Sequence, residues 1–313
     1  MNTFKLSVII PVYNEQGNIT KLDQGIKASV SNITSDYEVI YINDGSKDKT
    51  LEELKDLKDV TIINLNRNYG QATALDAGFK ACTGDYIVSL DGDGQNDPND
   101  IPKLLEKLIN EKLDVVAGWR KHRKDSNGIN QLTRVGRLLR RLMIADTVHD
   151  TGCTLRVYTK EAAKCLDIQG EMHRYILALL KWKGFKIGEV VVNHLPRTIG
   201  KSNYNYSKAV RGFIDLIYIW FIQKYSQRPL HIFGYISLGS FFFGILAAIW
   251  TVYGKVALGL SLNRNGWTLI TFFLLLAGIM FFSFGIIIDL LIRIQFNSSQ
   301  TEKRYYVREI LKR

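Results

Sequence analysis

Asp91 and Asp93 stand one residue apart in Ser89-Leu90-Asp91-Gly92-Asp93-Gly94-Gln95, directly after the apolar run Tyr86–Leu90. Two carboxylates and a carboxamide within five residues offer the oxygen donors that hard cations such as Mg²⁺ and Mn²⁺ prefer. The interleaved glycines let backbone approach a ligand with no Cβ in the way. An Asp-x-Asp pair by itself is more often a surface turn than a site. Three other apolar runs in the first half of the chain end in the same polar manner. They close on Pro11-Val12-Tyr13-Asn14-Glu15, on Asn43-Asp44-Gly45-Ser46 and on Asn66-Arg67-Asn68-Tyr69-Gly70.

The elements that must hold these tips follow from periodicity. Leu6–Val12, Tyr37–Ile42, Val60–Leu65 and Tyr86–Leu90 are short, apolar and β-branched, and Val115–Ala117 is a fifth such run. Helical patterns near Ile19–Val30, Thr50–Leu57, Gln71–Ala81 and Ile101–Asn110 separate them. Strand–helix alternation predicts an α/β domain with a mostly parallel sheet. Ligands of such sheets gather beyond the carboxyl ends of the strands, where all four polar tips then lie together. Further on, a basic helix is expected over Ile129–Ile144, strands over Thr154–Tyr158 and Lys186–Leu195, and an amphipathic segment over Ser207–Tyr225.

Charge and hydropathy divide the chain. Residues 1–119 carry 12 Lys/Arg and 19 Asp/Glu, net −7, whereas residues 120–313 carry 29 and 11, net +18. An acidic half suits a metal, and a basic half suits phosphates or anionic lipid. Pro229–Gly254 and Asn265–Ile288 hold no Asp, Glu, Lys or Arg over 26 and 24 residues. A bilayer core of about 30 Å needs about 20 helical residues, so both stretches are predicted to span. Trp250, Tyr253 and Trp267 near their ends suit the interface. That junction with membrane spans favours lipid over nucleic acid as partner of the basic half. The chain opens straight into a strand without a signal-peptide pattern, and basic residues flank the outer ends of the two spans. The expectation is a multi-pass plasma-membrane protein with its large domain and both termini in the cytoplasm. Cys82, Cys153 and Cys165 show no metal-ligand spacing and are expected as free thiols.

The motifs together resemble glycosyltransferase family 2 with a GT-A fold. The resemblance rests on Ser7-Val8-Ile9-Ile10-Pro11-Val12-Tyr13-Asn14-Glu15, Asn43-Asp44-Gly45-Ser46, Asn68-Tyr69-Gly70, Thr83-Gly84-Asp85 and Asp91-Gly92-Asp93-Gly94-Gln95, and covers roughly residues 5–200. The two spans narrow it to polyisoprenyl-phosphate glycosyltransferases. The implied division is a cytosolic GT-A domain over 1–202, an amphipathic juxtamembrane helix over 203–228, a two-helix hairpin over 229–292 and a basic tail over 293–313, on the inner leaflet or partly disordered. The resemblance implies that Pro11, Tyr13 and Glu15 line a nucleotide pocket and that Asp44 meets the base or ribose. Asp91 would lie by the donor sugar and pyrophosphate, with Asp91, Asp93 and Gln95 around Mg²⁺ or Mn²⁺.

Gly118-Trp119-Arg120-Lys121-His122-Arg123-Lys124-Asp125 resembles a family stretch that grips lipid phosphate. This implies such a role for Arg120, Arg123, Arg134 and Arg137, whose forks fit phosphate oxygens. Asp150, in Val148-His149-Asp150-Thr151-Gly152-Cys153, falls where the family often puts a catalytic carboxylate. Because a phosphate acceptor is mostly ionised near neutral pH, Asp150 is expected to orient it rather than deprotonate it. His149 is expected to pack or hydrogen-bond. Arg197 and Lys201, in Arg197-Thr198-Ile199-Gly200-Lys201-Ser202-Asn203-Tyr204, resemble a loop that closes over the donor diphosphate. The implied activity is inverting transfer of a sugar from a nucleotide sugar to undecaprenyl phosphate. UDP-glucose is the expected donor, with UDP-N-acetylglucosamine and GDP-mannose as alternatives. A homo-oligomer, a tetramer, is implied as well. The rivals are a processive polysaccharide synthase, whose QxxRW-type motif is missing at Leu180-Lys181-Trp182, and a non-enzymatic membrane scaffold.

Overall fold

The computed structural model describes residues 4–121, 148–168, 170, 172–196, 229–262, 265–298 and 307–312, with 216–218, 220–221 and 224–225. The expected alternation is present. Strands β1 (Leu6–Val12), β2 (Tyr37–Asn43), β3 (Thr61–Leu65), β4 (Tyr86–Ser89) and β5 (Val115–Trp119) alternate with helices α1 (Ile19–Ser31), α2 (Thr50–Lys55), α3 (Gln71–Ala81) and α4 (Ile101–Asn110). β6 (Arg156–Thr159), α5 (Lys160–Lys164), α6 (Ile176–Trp182) and β7 (Ile187–Val191) follow, then the long helices α7 (Pro229–Leu258) and α8 (Gly266–Ser298), and last β8 (Val307–Lys312).

β1 shows why these runs become central strands. All seven of its residues are buried. Its side chains alternate between the two faces, as strand geometry requires. Leu6, Val8, Ile10 and Val12 pack with residues of α1 and α4 on one face, while Ile9 joins residues of α3, α5 and α6 on the other. A strand buried on both faces is expected to be nearly all apolar, and its one polar residue, Ser7, is hydrogen-bonded to Glu38 and Gly84. Each fully buried Leu or Ile contributes about 1.5–3 kcal/mol. α4 needs only one apolar face. Ile101, Leu104, Leu105 and Leu108 supply it, and Pro102 sits in the first turn, where a missing N–H costs nothing.

Sheet order is β7-β5-β6-β4-β1-β2-β3-β8. β1 runs parallel to both β2 and β4, so the chain order reverses at β1 and a crevice opens beyond its carboxyl end. β6 is antiparallel to β4 and β5, and β8 antiparallel to β3. The strand expected over Thr154–Tyr158 lies two residues later at its start, because Thr154 is diverted into side-chain contacts at the site. The helix expected over Ile129–Ile144 lies outside the described residues.

The chain forms two compact units, Met1–Leu216 with Lys303–Arg313, and Ile217–Glu302. The expected boundary at 202 lies outside the described residues. The C-terminal tail, expected on the leaflet or disordered, contributes β8 instead. Its Leu311 packs on the core, and Asn64 Nδ2 donates to Glu309 Oε1 at 3.3 Å. Asn43, Asn64 and Glu309 form one cross-strand row, and Asn43 Nδ2 donates to Asn64 Oδ1 at 2.8 Å. Glu309 also lies 3.7 Å from Lys55.

In the second unit, Leu230–Leu258 and Gly266–Ile292 have mean hydropathy 2.0 and 2.5. At about 1.5 Å per residue both exceed a bilayer's hydrocarbon thickness. Only 17% of each apolar window is buried, so neither is a core helix of a water-soluble domain. They pack on each other through Ser237 Oγ, which donates to the Gly278 carbonyl at 2.8 Å, and through Phe241 against Gly278. Small residues permit such close approach.

Gly45 sits in a tight turn after β2. Its φ is +67°, and a Cβ there would lie 2.4 Å from the Arg67 carbonyl carbon. Gly45→Ala is expected to cost about 2 kcal/mol or more, since both the conformation and the space are denied to Ala. A thermal melt of the purified protein checks this.

Candidate active site

Four strand tips converge on one cavity of about 260 Å³. Pro11, Tyr13 and Glu15 of the β1 tip, Asp44 of the β2 tip, and Asp91 and Asp93 of the β4 tip all line it. These six were singled out from sequence, and the structure brings them together. Asn68, Gly70, Gln71 and Ala74 close the side formed by the β3–α3 connection. Gly92 allows the β4 tip to meet the β1 tip, since a Cβ there would fall 2.5 Å from Val12 Cγ1.

Asp44 is buried, and its two oxygens accept from the backbone N–H groups of Tyr69 and Gly70 at 2.7 and 2.8 Å. Burial raises its pKa on balance, against the lowering effect of those two hydrogen bonds. Asp44 therefore sets the shape of the β3–α3 loop while also facing the cavity. The preceding turn is laced together. Asn14 N donates to Ser46 Oγ at 3.0 Å, Lys47 N donates to Asn14 Oδ1 at 2.8 Å, and Ser46 N donates to Asn43 Oδ1 at 3.2 Å.

Asp91 accepts from Gln71 Nε2 at 2.6 Å. Burial and then the charge of Asp93 push its carboxyl up to about 6, although a Thr154 hydrogen bond and the charges of Arg156 and Arg120 pull the other way. Gln95 enters through its backbone. Its N–H donates to Asp93 Oδ1 at 3.0 Å, and its carbonyl accepts from Leu195 N at 2.9 Å. Among the described residues no group of three or more His, Cys, Asp or Glu could hold a metal ion. Asp91 and Asp93 nonetheless fit a hard cation that takes its remaining ligands from a diphosphate. They are oxygen donors on one cavity wall, and their mutual repulsion is relieved by positive charge.

The burial of Asp91, with the charge of Asp93 added to it, has a measurable consequence. A carboxyl raised from 3.8 to about 6 costs about 3 kcal/mol at neutral pH without a cation. The raised pKa gives stability that is fully present below pH 4 and lost as the pH rises through about 6. Asp91→Asn should therefore melt higher than the parent at pH 8 in chelator, with the gap closing by pH 4. Added Mn²⁺ should raise the parent's melting temperature and not the variant's.

Beside this cavity lies an ion pair. Arg120 Nε donates to Asp150 Oδ2 at 2.7 Å and Arg120 Nη2 to Asp150 Oδ1 at 3.0 Å, with side chains 12% and 15% exposed. Gly152 N also donates to Asp150 Oδ1 at 3.1 Å. Burial raises the Asp150 pKa, but the Arg120 hydrogen bonds and charge hold it below the usual carboxylate range. Two residues expected in different roles, one on lipid phosphate and one catalytic, are thus partners. Arg123, Arg134, Arg137, Arg197 and Lys201 lie outside the described residues.

Sequence reasoning missed Gln71, Arg156 and Glu189. Gln71 follows the singled-out Tyr69-Gly70 tip and opens α3, so its position was available. Arg156 is 3% exposed and donates to the carbonyls of Thr151 and Cys153 at 2.8 and 2.9 Å. Nothing in the local pattern distinguishes it from a surface arginine of a strand. Glu189 hydrogen-bonds His149 across forty residues of sequence.

A doubly wound sheet with its carboxylates at the order-reversal crevice is an α/β domain of the GT-A type. The model of glycosyl transferase family 2 matches residues 7–167. The chain belongs to that family and is a glycosyltransferase. It is 31% identical to the dodecaprenyl-phosphate galacturonate synthase of Rhizobium johnstonii, over 99% of this chain and 94% of that protein. It is also 31% identical to the undecaprenyl-phosphate 4-deoxy-4-formamido-L-arabinose transferase of an Enterobacter species, over 99% of this chain and 94% of that one. Among solved structures, glucosyl-3-phosphoglycerate synthase from Mycobacterium tuberculosis, in complex with Mn²⁺ and UDP-glucose, shares the fold. Its TM-score is 0.54 at 17% identity, over 71% of this chain and 79% of that one. The same enzyme has also been solved with Mg²⁺ and UDP, at a TM-score of 0.53 and 16% identity.

Proposed function

We propose that the chain transfers a sugar from a nucleotide sugar to the phosphate of a polyprenyl lipid at the cytoplasmic membrane face, inverting the anomeric centre. The observation that carries this reading is the single cavity lined by Tyr13, Glu15, Asp44, Asp91 and Asp93 in a chain that also holds two helices able to span a bilayer. The names of the two relatives point to a polyprenyl phosphate acceptor.

In this reading the nucleotide lies against Pro11, Tyr13 and Glu15, with Asp44 fixing the loop that borders it. The N-terminus of α3, at Gln71, faces the diphosphate, where the helix dipole favours negative charge. Asp91 and Asp93 would hold Mg²⁺ or Mn²⁺, which supplies charge stabilisation to the leaving diphosphate. Gln71 keeps Asp91 aimed. An acceptor phosphate oxygen forms a bond to the anomeric carbon as the carbon–oxygen bond to the diphosphate breaks on the opposite face. The acceptor is already ionised, so no strong base is required. Arg120 and Asp150, locked together, present a fixed cationic edge to it, and Arg123, Arg134 and Arg137 extend that edge. Arg197 and Lys201 close on the donor. The cytoplasmic domain and both termini share the side on which nucleotide sugar is available. A tetramer remains part of this proposal, to be checked by mass measurement in detergent.

For the sugar, the proposal of UDP-glucose stands beside the two sugars in the relatives' names, galacturonate and 4-deoxy-4-formamido-L-arabinose. The test uses the full-length protein in membranes with undecaprenyl phosphate. Radiolabelled donors carrying these three sugars, N-acetylglucosamine and mannose are offered with Mn²⁺, with Mg²⁺ and with chelator. Label entering the organic-extractable lipid with one donor, and only with metal, is the expected result. Label in polymer would instead favour a processive synthase, and no metal-dependent transfer from any donor would overturn the reading.

A further inference from the structure

A second acid–base pair adjoins Arg120 and Asp150, and the chemistry above does not use it. His149 Nδ1 lies 2.8 Å from Glu189 Oε2. Glu189 Oε1 accepts from the His149 backbone N–H at 2.9 Å and from that of Asp150 at 3.4 Å. One carboxylate on β7 thus grips three N–H groups of the segment that carries Asp150. The imidazole stacks on Trp119, at the end of β5, with ring centroids 4.4 Å apart and planes 19° from parallel. Lys121 Nζ lies 5.7 Å from the centre of the same indole.

This arrangement determines which ring nitrogen can act. A carboxylate facing Nδ1 makes it the protonated nitrogen, so Nε2 is left for a ligand. Nε2 has no hydrogen-bond partner among the described residues. The His149 side chain is 47% exposed, while that of Glu189 is 15% exposed. An exposed ring whose tautomer and plane are fixed by a shielded carboxylate and an indole has the form of a ligand, since packing alone needs neither. The groups around it are Arg120 and Lys121, cationic, and Asp150 and Glu189, anionic. Asp150 is already neutralised by Arg120, and Glu189 by the N–H groups it accepts. Lys121 therefore faces solvent with little opposing charge, and a ring that gains a second proton donates from Nε2 beside it, a pair of donors that suits an anion.

We propose that His149 is a direct ligand of the acceptor's phosphate, and that Glu189 is the positioning residue that aims it. The inference rests on the reading of a polyprenyl phosphate acceptor and adds a recognition group to it. Nε2 meets one phosphate oxygen through a proton the ring takes up from solvent as the ionised phosphate arrives, so the ring donates and the phosphate accepts. Arg120 and Lys121 flank the other oxygens. Glu189 holds both His149 and Asp150, so it couples phosphate recognition to the ion pair beside the donor cavity.

Three variants of the full-length enzyme separate a ligand from a packing residue. His149→Phe keeps the stack on Trp119 and removes both ring nitrogens. It should raise the KM for undecaprenyl phosphate about tenfold, the size of a lost hydrogen bond to a charged group, with the donor KM unchanged. Glu189→Gln keeps the volume and should move the acceptor KM in the same direction by several-fold. The double variant should be little worse than His149→Phe, because Glu189 acts through His149. Imidazole signals of ¹⁵N-histidine-labelled protein give a second measure, since the chain has only five histidines. A short-chain polyprenyl phosphate should shift the His149 signal, and the corresponding alcohol should not. Wild-type acceptor KM in His149→Phe, or equal rises in donor and acceptor KM, would overturn the proposal. So would a His149 signal indifferent to the phosphate. If the parent transfers no sugar to polyprenyl phosphate at all, it is the underlying reading that fails.

Discussion

Asp93→Ala is expected to lower turnover by about 10³-fold or more while the protein stays folded and membrane-bound. The two halves of that expectation have different physical origins. Asp93 lies past the end of β4 on the cavity wall, outside both buried apolar clusters. Its carboxylate accepts the Gln95 N–H, and losing one such partly exposed hydrogen bond costs about 1 kcal/mol. The melting temperature should therefore move by only a few degrees. Chemistry depends on it far more. Together with Asp91, it makes the negative spot at which a divalent cation can sit beside a departing diphosphate. With Ala at 93, one carboxylate alone must hold the ion. Lipid-extractable label over time gives the rate, and a melt on the same preparation gives the stability. Near-normal transfer in a folded variant would remove the metal role assigned to this pair.

Arg120→Ala should damage both stability and activity. Removing one partner of a largely buried, bidentate pair leaves the other charge unpaired, at about 3 kcal/mol here, near the lower end for buried pairs because both side chains retain some exposure. The sign with pH follows from the depressed pKa of Asp150. A depressed carboxylate contributes stability that is present above its unfolded value, near 4, and is lost as pH falls through the lower folded value. The gap between parent and Arg120→Ala should thus be full at pH 7 and shrink below pH 4. Adding Asp150→Asn to Arg120→Ala should restore much of the stability, since no charge is then left buried. It should not restore transfer, because the cationic edge is still missing. Arg120→Lys keeps a charge but not the two-pronged geometry, and should fall between. Recovery of transfer in the double variant would make Arg120 a purely structural residue.

The lessons about legibility differ from residue to residue. Pro11, Tyr13, Glu15, Asp44, Asp91 and Asp93 could be grouped from sequence because each follows an apolar run. In a parallel α/β sheet every such run ends on the same edge. No long-range information was required, only the rule that connects strand direction to the position of loops. The two long apolar helices were legible for a similar reason, since length and lack of charge are local properties. The roles of Arg120 and Asp150 could be guessed one at a time, but not their partnership. Thirty residues separate them, and only the folding of β6 back beside β5 brings the two together. Arg156 and Glu189 had no legible signal, because their partners, backbone groups and for Glu189 also the His149 ring, lie on a segment placed by that same antiparallel return. The tail was misread for want of any local cue. A six-residue basic-and-apolar segment becomes a strand only because β3 offers an unpaired edge.

By itself, then, the sequence determined the kinds of element, their alternation and the polar chemistry at their carboxyl ends. Those depend on periodicity and side-chain type over a few residues. Tertiary structure decided which strands are neighbours, that β1 lies between β4 and β2, and that the chain's last strand closes the sheet beside β3. It also decided that Asp91 feels Arg120 and Arg156 at once. Such contacts join residues tens to hundreds of positions apart, up to the 245 between Asn64 and Glu309. They are selected by the burial of a whole sheet between two layers of helices, a property that no local stretch of chain contains.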